Sequence, residues 1–142
     1  MASLERRSDW NARLDALLLG CIATPFEWGT HDCATLAASA LDAQYGTDFA
    51  KRMGEKYAGL DETGLRDLCY RGGGIRAIVD GWLGTNRLPI NLCARGDIVL
   101  YADDYGQPYG LAVHDGQQIV APGVVGLQRV PLHHAIVGWR PI

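Results

Sequence analysis

The chain has no long apolar run. Leu17-Leu18-Leu19 is three residues long, against about 20 for a membrane span and about 7–15 for the core of a signal peptide. Met1-Ala2-Ser3-Leu4-Glu5-Arg6-Arg7 leads into Ser8, Asp9 and Trp10 rather than into an apolar segment. The expectation is synthesis in the cytosol, with no export or membrane insertion by the chain itself. Basic charge is not in excess: 13 basic and 16 acidic residues leave a formal charge of -3 and a pI of about 5.7. That balance speaks against a nucleic-acid partner held by a basic face. The four cysteines, Cys21, Cys33, Cys69 and Cys93, form no C-x-x-C pair, so neither a zinc site nor any other cofactor is expected. Internal repeats and low-complexity linkers are also missing.

What remains is a chain of 142 residues, 48% hydrophobic and 20% charged. That is enough to bury the core of one domain without disulfides, and residues 1–142 are read as a single unit. Trp10, Leu14, Leu17 and Leu18 share a helical stripe, which predicts a helix over 8–19 stopped by Gly20. Thr24 to Thr30 reads as a loop broken by Pro25 and Gly29. Asp32 suits the N-cap of a second helix whose face carries Cys33, Leu36, Ala37, Ala40, Leu41 and Gln44, with Gly46 as its end. The small residues Ala37-Ala38-Ser39-Ala40 let another backbone come close, so this helix is expected to be central. Asp48 to Gly84 is helical in pattern, with Thr63 as a possible cap and Arg71-Gly72-Gly73-Gly74 as a turn between helices. After Pro89 the pattern becomes strand-like: Asp97–Tyr101, Tyr109–His114, a hairpin turn at Asp115-Gly116, then Gln117–Ala121, Leu127–Pro131 and Ala135–Trp139. Helices first and an antiparallel meander second make an α+β layout.

Cys33 is the residue whose setting points to chemistry. A helix N-terminus carries about +0.5 charge and free N–H groups, which stabilise a thiolate. Phe26-Glu27-Trp28-Gly29-Thr30-His31 could form one wall of a groove beside it, with Trp28 and Asp32 in contact with a substrate. Taken alone, a cysteine at a helix start is an ordinary packed residue.

The surrounding string says more. Pro25-Phe26-Glu27-Trp28-Gly29-Thr30-His31-Asp32-Cys33 with Leu36-Ala37-Ala38 resembles the active-site opening of the NlpC-type papain-like cysteine peptidases. The match is closer to a phage and prophage branch with the pattern Phe-x-Trp-Gly-x-x-Asp-Cys, whose members are similar to tail-tip or tail-assembly components. Gly96-Asp97-Ile98-Val99, Tyr109 to Gly116, and Gly126 to Arg140 resemble the strands that follow in that family. The resemblance implies a papain-like domain in which a central helix bearing Cys33 packs on a C-terminal antiparallel sheet. It also implies a histidine base two residues before Gly110 and an orienting polar residue on the next strand. Here those positions are Pro108 and Val120, and neither accepts a proton. A thiol of pKa about 8.5 without a base is a poor nucleophile at neutral pH.

Four histidines are available as replacements. His114 has the strand parity of Pro108 but lies six residues on, roughly 20 Å along an extended strand. His31 is two residues from Cys33 and could reach the thiol. His133 and His134 point to opposite faces if they lie in a strand. Two functions follow from the resemblance. One is a structural component of a phage-type tail tip or tail-assembly complex, located in the virion, that contacts other tail-tip or hub proteins through a degenerate peptidase fold. The other is an active cysteine hydrolase that cuts peptidoglycan stem peptides, with Cys33 as nucleophile and main-chain N–H groups near it as the oxyanion hole.

Overall fold

The computed structural model describes residues 5–70, 74–84 and 87–141, with side chains described outside 68–70. The turn expected at Arg71-Gly72-Gly73 lies outside the described residues. Helices α1 (Trp10–Cys21), α2 (Cys33–Tyr45), α3 (Phe49–Lys56), α4 (Glu62–Tyr70) and α5 (Gly74–Leu83) come first. Strands β1 (Arg87–Leu88), β2 (Ile98–Ala102), β3 (Pro108–His114), β4 (Ile119–Pro122), β5 (Leu127–Val130) and β6 (Ala135–Trp139) follow. Every strand pair is antiparallel, so the chain is an α+β protein.

The sheet order is β1-β6-β2-β3-β4-β5. Only β2 to β5 form the expected meander. The last strand crosses to the other side of β2, where Ile98 faces Trp139 and Val99 faces Gly138. This placement seals Trp139, which is fully buried. A meander would have left that ring at the sheet edge. Strand β1, only two residues long, was not foreseen; it pairs Arg87 with Trp139.

Strand alternation sends side chains to two cores. Ile98, Leu100, Leu111, Val113, Val120 and Trp139 face the helices and pack with Leu14, Leu36, Leu41 and Val79. Val99, Tyr101, Ala112, Ile119, Ala121 and Val130 fill a second core on the far face. Helix α2 is central because its inward face is small: Ala37, Ala38 and Ala40 are at most 1% exposed. Burying Leu36 and Leu41 beside them contributes about 1.5–3 kcal/mol each.

Several ends differ from expectation. Helix α1 starts at Trp10 and passes through Gly20 to Cys21, since a glycine in a helix costs only about 1 kcal/mol. Asp61, not Thr63, caps α4, its carboxylate accepting the Gly64 N–H at 2.8 Å. Gly96-Asp97 is a corner before β2 rather than part of the strand. Gly96 has φ +91°, and a Cβ there would fall 2.1 Å from Gln44 Oε1. The buried Gln44 amide donates to the carbonyls of Ala40 and Gly96, tying the end of α2 to this corner. The Asp97 carboxylate is fully buried and accepts twice from Arg140, at 2.8 and 2.6 Å, and once from the Ala94 N–H. Arg6 adds a longer contact at 3.8 Å.

Candidate functional site

Asp32 organises the approach to Cys33. Its Oδ1 accepts the Thr35 N–H at 2.8 Å, and the Thr35 hydroxyl in turn accepts the Asp32 N–H at 2.7 Å. This reciprocal box satisfies free donors of the first turn of α2. The other carboxylate oxygen accepts the Gly29 N–H at 2.9 Å. Both oxygens are therefore committed to the backbone. Asp32 borders a cavity of ≈ 260 Å³ with Thr30, Ala34, Met53 and Tyr57; Trp28 lines both this cavity and the groove that Cys33 lines. The Asp32 side chain caps α2, directly before the residue that opens on the groove.

The preceding loop is pinned at both ends. Phe26 N–H donates to the Gly123 carbonyl, and Glu27 and His31 exchange two main-chain bonds around a tight turn in which Gly29 has φ +80°. Phe26 and Trp28 meet edge to face, with centroids 5.0 Å apart. Arg66 of α4 lies 5.6 Å above the Trp28 ring.

Cys33 opens α2, half-buried, on a groove of ≈ 490 Å³. Phe26 and Trp28 form one wall, Tyr101, Tyr109 and Gly110 another, and Pro122, Gly123 and Val124 a third. Arg66 and Gln128 complete the lining. Trp28 and Cys33 are thus brought together. The contributions of Tyr101, Tyr109, Arg66 and Gln128 were not legible, because they come from four separate elements.

The histidines lie elsewhere; among the described residues, none lines this groove. His114 is buried at the far end of β3, where its Nδ1 accepts the Gly116 N–H at 3.0 Å and closes the hairpin. Its shared parity with Pro108 does not survive in the structure. The β2–β3 register shifts between Tyr101 and Ala102, so Tyr101 faces Gly110 while Ala102 faces Pro108. Tyr109 is the extra residue of this bulge, and an inserted residue inverts the alternation beyond it. His31 is buried, and its Nε2 has no hydrogen-bond partner among the described residues. His133 and His134 lie in a 3-10 turn, not a strand, and their rings meet edge to face. His134 Nε2 is 3.7 Å from Asp104. Val120 packs in the helix-side core opposite Val113.

Burial raises the thiol pKa of Cys21. Burial also raises that of Cys93, with the Asp97 charge adding to it. No cluster of three or more metal-ligating side chains occurs among the described residues, and none of their helices is long and apolar enough to cross a membrane. Comparison with curated proteins and with solved structures returned no match. The family comparison did: residues 5–141 match the DUF6950 family, described as a domain of unknown function, and the chain belongs to that family.

Proposed function

We propose that this chain is a binding module of a phage-type tail tip or tail-assembly complex, built on a papain-like, NlpC-like fold that has lost its catalytic base. The observation that carries the loss of the base is Pro108. It opens β3 at the groove end of the sheet, at the position where the resemblance places an imidazole. Val120, at the position of the orienting residue, is packed among Leu111 and Val113. The groove nevertheless stays open and largely apolar, as a recognition surface requires. The tail setting, the virion location and the hub-protein partners rest on the resemblance of Phe26 to Cys33 and of the later strands.

A second reading is an active cysteine hydrolase acting on peptidoglycan stem peptides. His31 favours it, since a buried imidazole nitrogen with no partner among the described residues stands two residues before Cys33. Closing on the thiol, it would take the proton as Cys33 attacks the carbonyl.

The pH dependence of alkylation, mapped by mass spectrometry on Cys33 against Cys21 and Cys93, tests the choice. The binding-module reading expects Cys33 to react only as the pH rises above about 8, and no fragments released from purified peptidoglycan. Fast alkylation of Cys33 well below pH 7, abolished in His31→Ala, overturns it in favour of the hydrolase. Mass spectrometry of purified tail particles tests the location, and absence of the chain from them refutes it.

A further inference from the structure

Strands β3 and β4 come apart at a proline. They pair at His114 with Ile119 and at Val113 with Val120, and the Asp115 N–H reaches the Gln118 carbonyl. The main chain of His114 turns the other way, toward Gly96 and Asp97. Hydrogen-bonding positions toward β4 therefore fall at Asp115 and Val113, and the next in register would join Leu111 to Pro122. Proline has no N–H to give, and the pairing stops one step short of it. Beyond that point β3 runs on to Pro108 beside β2, its one strand neighbour there among the described residues, while β4 bends through Gly123 into β5. Tyr109, the extra residue of the bulge, has no ladder partner on either neighbouring strand.

The resulting wedge is the mouth of the Cys33 groove. Tyr109 and Gly110 form one side, and Pro122, Gly123 and Val124 the other. Its rim is open: Tyr109 is 52% exposed and Val124 88%. Among the described residues, Arg66 is the one charged side chain that lines the groove, and no carboxylate does. Arg66 gives one nitrogen to the exposed Glu62, a pair that holds it only weakly. A sugar is a poor fit, because the edge-to-face contact with Phe26 and the guanidinium of Arg66 already occupy the surroundings of the Trp28 ring.

We infer that this wedge docks an extended, apolar segment of a partner protein that carries a carboxylate at the Arg66 end. The inference rests on the binding-module reading and names the partner's chemistry. The interrupted ladder suits an added strand, whose main chain meets the strand ends while alternate side chains fill the groove. The volume of ≈ 490 Å³ lies within the range of about 300–1,000 Å³ for ligand sites.

The test is a positional-scanning library of acetylated heptapeptides, with apolar residues at alternate positions, presented to the full chain. Peptides retained by the wild type are then titrated into 15N-labelled protein. The expected result is enrichment of aspartate or glutamate at one end and shifts concentrated at Tyr109, Gly110, Gly123 and Val124. Arg66→Ala should weaken binding about tenfold and remove the acidic preference. Pro122→Val restores the missing N–H, lets β4 zip further along β3, and should weaken binding at least fivefold without lowering Tm. Arg13→Ala, an exposed position of α1 that does not line the groove, should bind as the wild type does. No peptide retained above the Pro122→Val background, no acidic preference, or shifts on another face each overturn the docking site. An inert Cys33 with no peptide bound leaves the binding-module reading standing; a bound peptide that is cleaved overturns that reading instead.

Discussion

Replacing Asp32 by alanine tests whether the residue before Cys33 is a structural cap or a substrate contact. Asp32 is 6% exposed, and its carboxylate accepts two main-chain N–H groups, from Thr35 at 2.8 Å and from Gly29 at 2.9 Å. Losing an N-cap costs about 0.5–2 kcal/mol. The bond to Gly29 adds about 0.5–1.5 kcal/mol, because Gly29 is exposed and water replaces part of it. The expected loss is about 1–3.5 kcal/mol, or about 3–12 °C in Tm for a domain of this size. Asp32→Asn keeps one carbonyl oxygen and should fall between wild type and alanine. Calorimetry and urea unfolding read the stability. Alkylation of Cys33 reads the first turn of α2, which should fray and label faster. A loss below about 0.5 kcal/mol, with Cys33 labelling unchanged, would refute the cap as the role of Asp32.

Three further outcomes follow from packing and charge. Arg140→Gln removes the two bonds that neutralise the buried Asp97 carboxylate and leaves Arg6 at 3.8 Å; urea unfolding should show a loss of about 2–4 kcal/mol, near the range for breaking a buried pair. In Gly138→Ala the new Cβ would lie 2.2 Å from Cys93 Sγ, an overpacking cost of about 1–3 kcal/mol that Cys93→Ala should partly restore in a double-mutant cycle. Burial raises the Asp80 carboxyl, but hydrogen bonds from Arg87 and the Trp139 indole outweigh it and hold the group below its ordinary value of 3.8. Its contribution is therefore present above the unfolded pKa and disappears as the pH falls through the lower folded value. The stability gap between wild type and Asp80→Asn should be full at pH 6 and shrink below about pH 4.

Local signals were strong where one residue type answers one local demand. Asp32 followed by Thr35 forms the cap of α2, and Gly46 ends that helix in the left-handed region at φ +70°. Asp115-Gly116 makes the hairpin between β3 and β4. The stripe of small residues marks α2 as the buried helix. Reasoning from strand parity failed at His114 because the bulge at Tyr109 depends on β2 as well as on β3. His133 and His134 fall between the last two strands, as the expected strand bounds leave them, in a short 3-10 turn where the chain crosses from one sheet edge toward the other.

The amino-acid sequence by itself determined the α+β layout, the capped helix that opens with Cys33 and the absence of a histidine at position 108, since each depends on residues within a few positions of one another. Tertiary structure alone decided the groove. Its walls come from the Phe26–Trp28 loop, α4, two strand ends and the β4–β5 turn, and Arg66, Tyr109 and Val124 meet where the pairing of β3 with β4 ends. Side chains distant in sequence are brought together by the burial of Trp139 and the two cores, a long-range demand that no local pattern expresses.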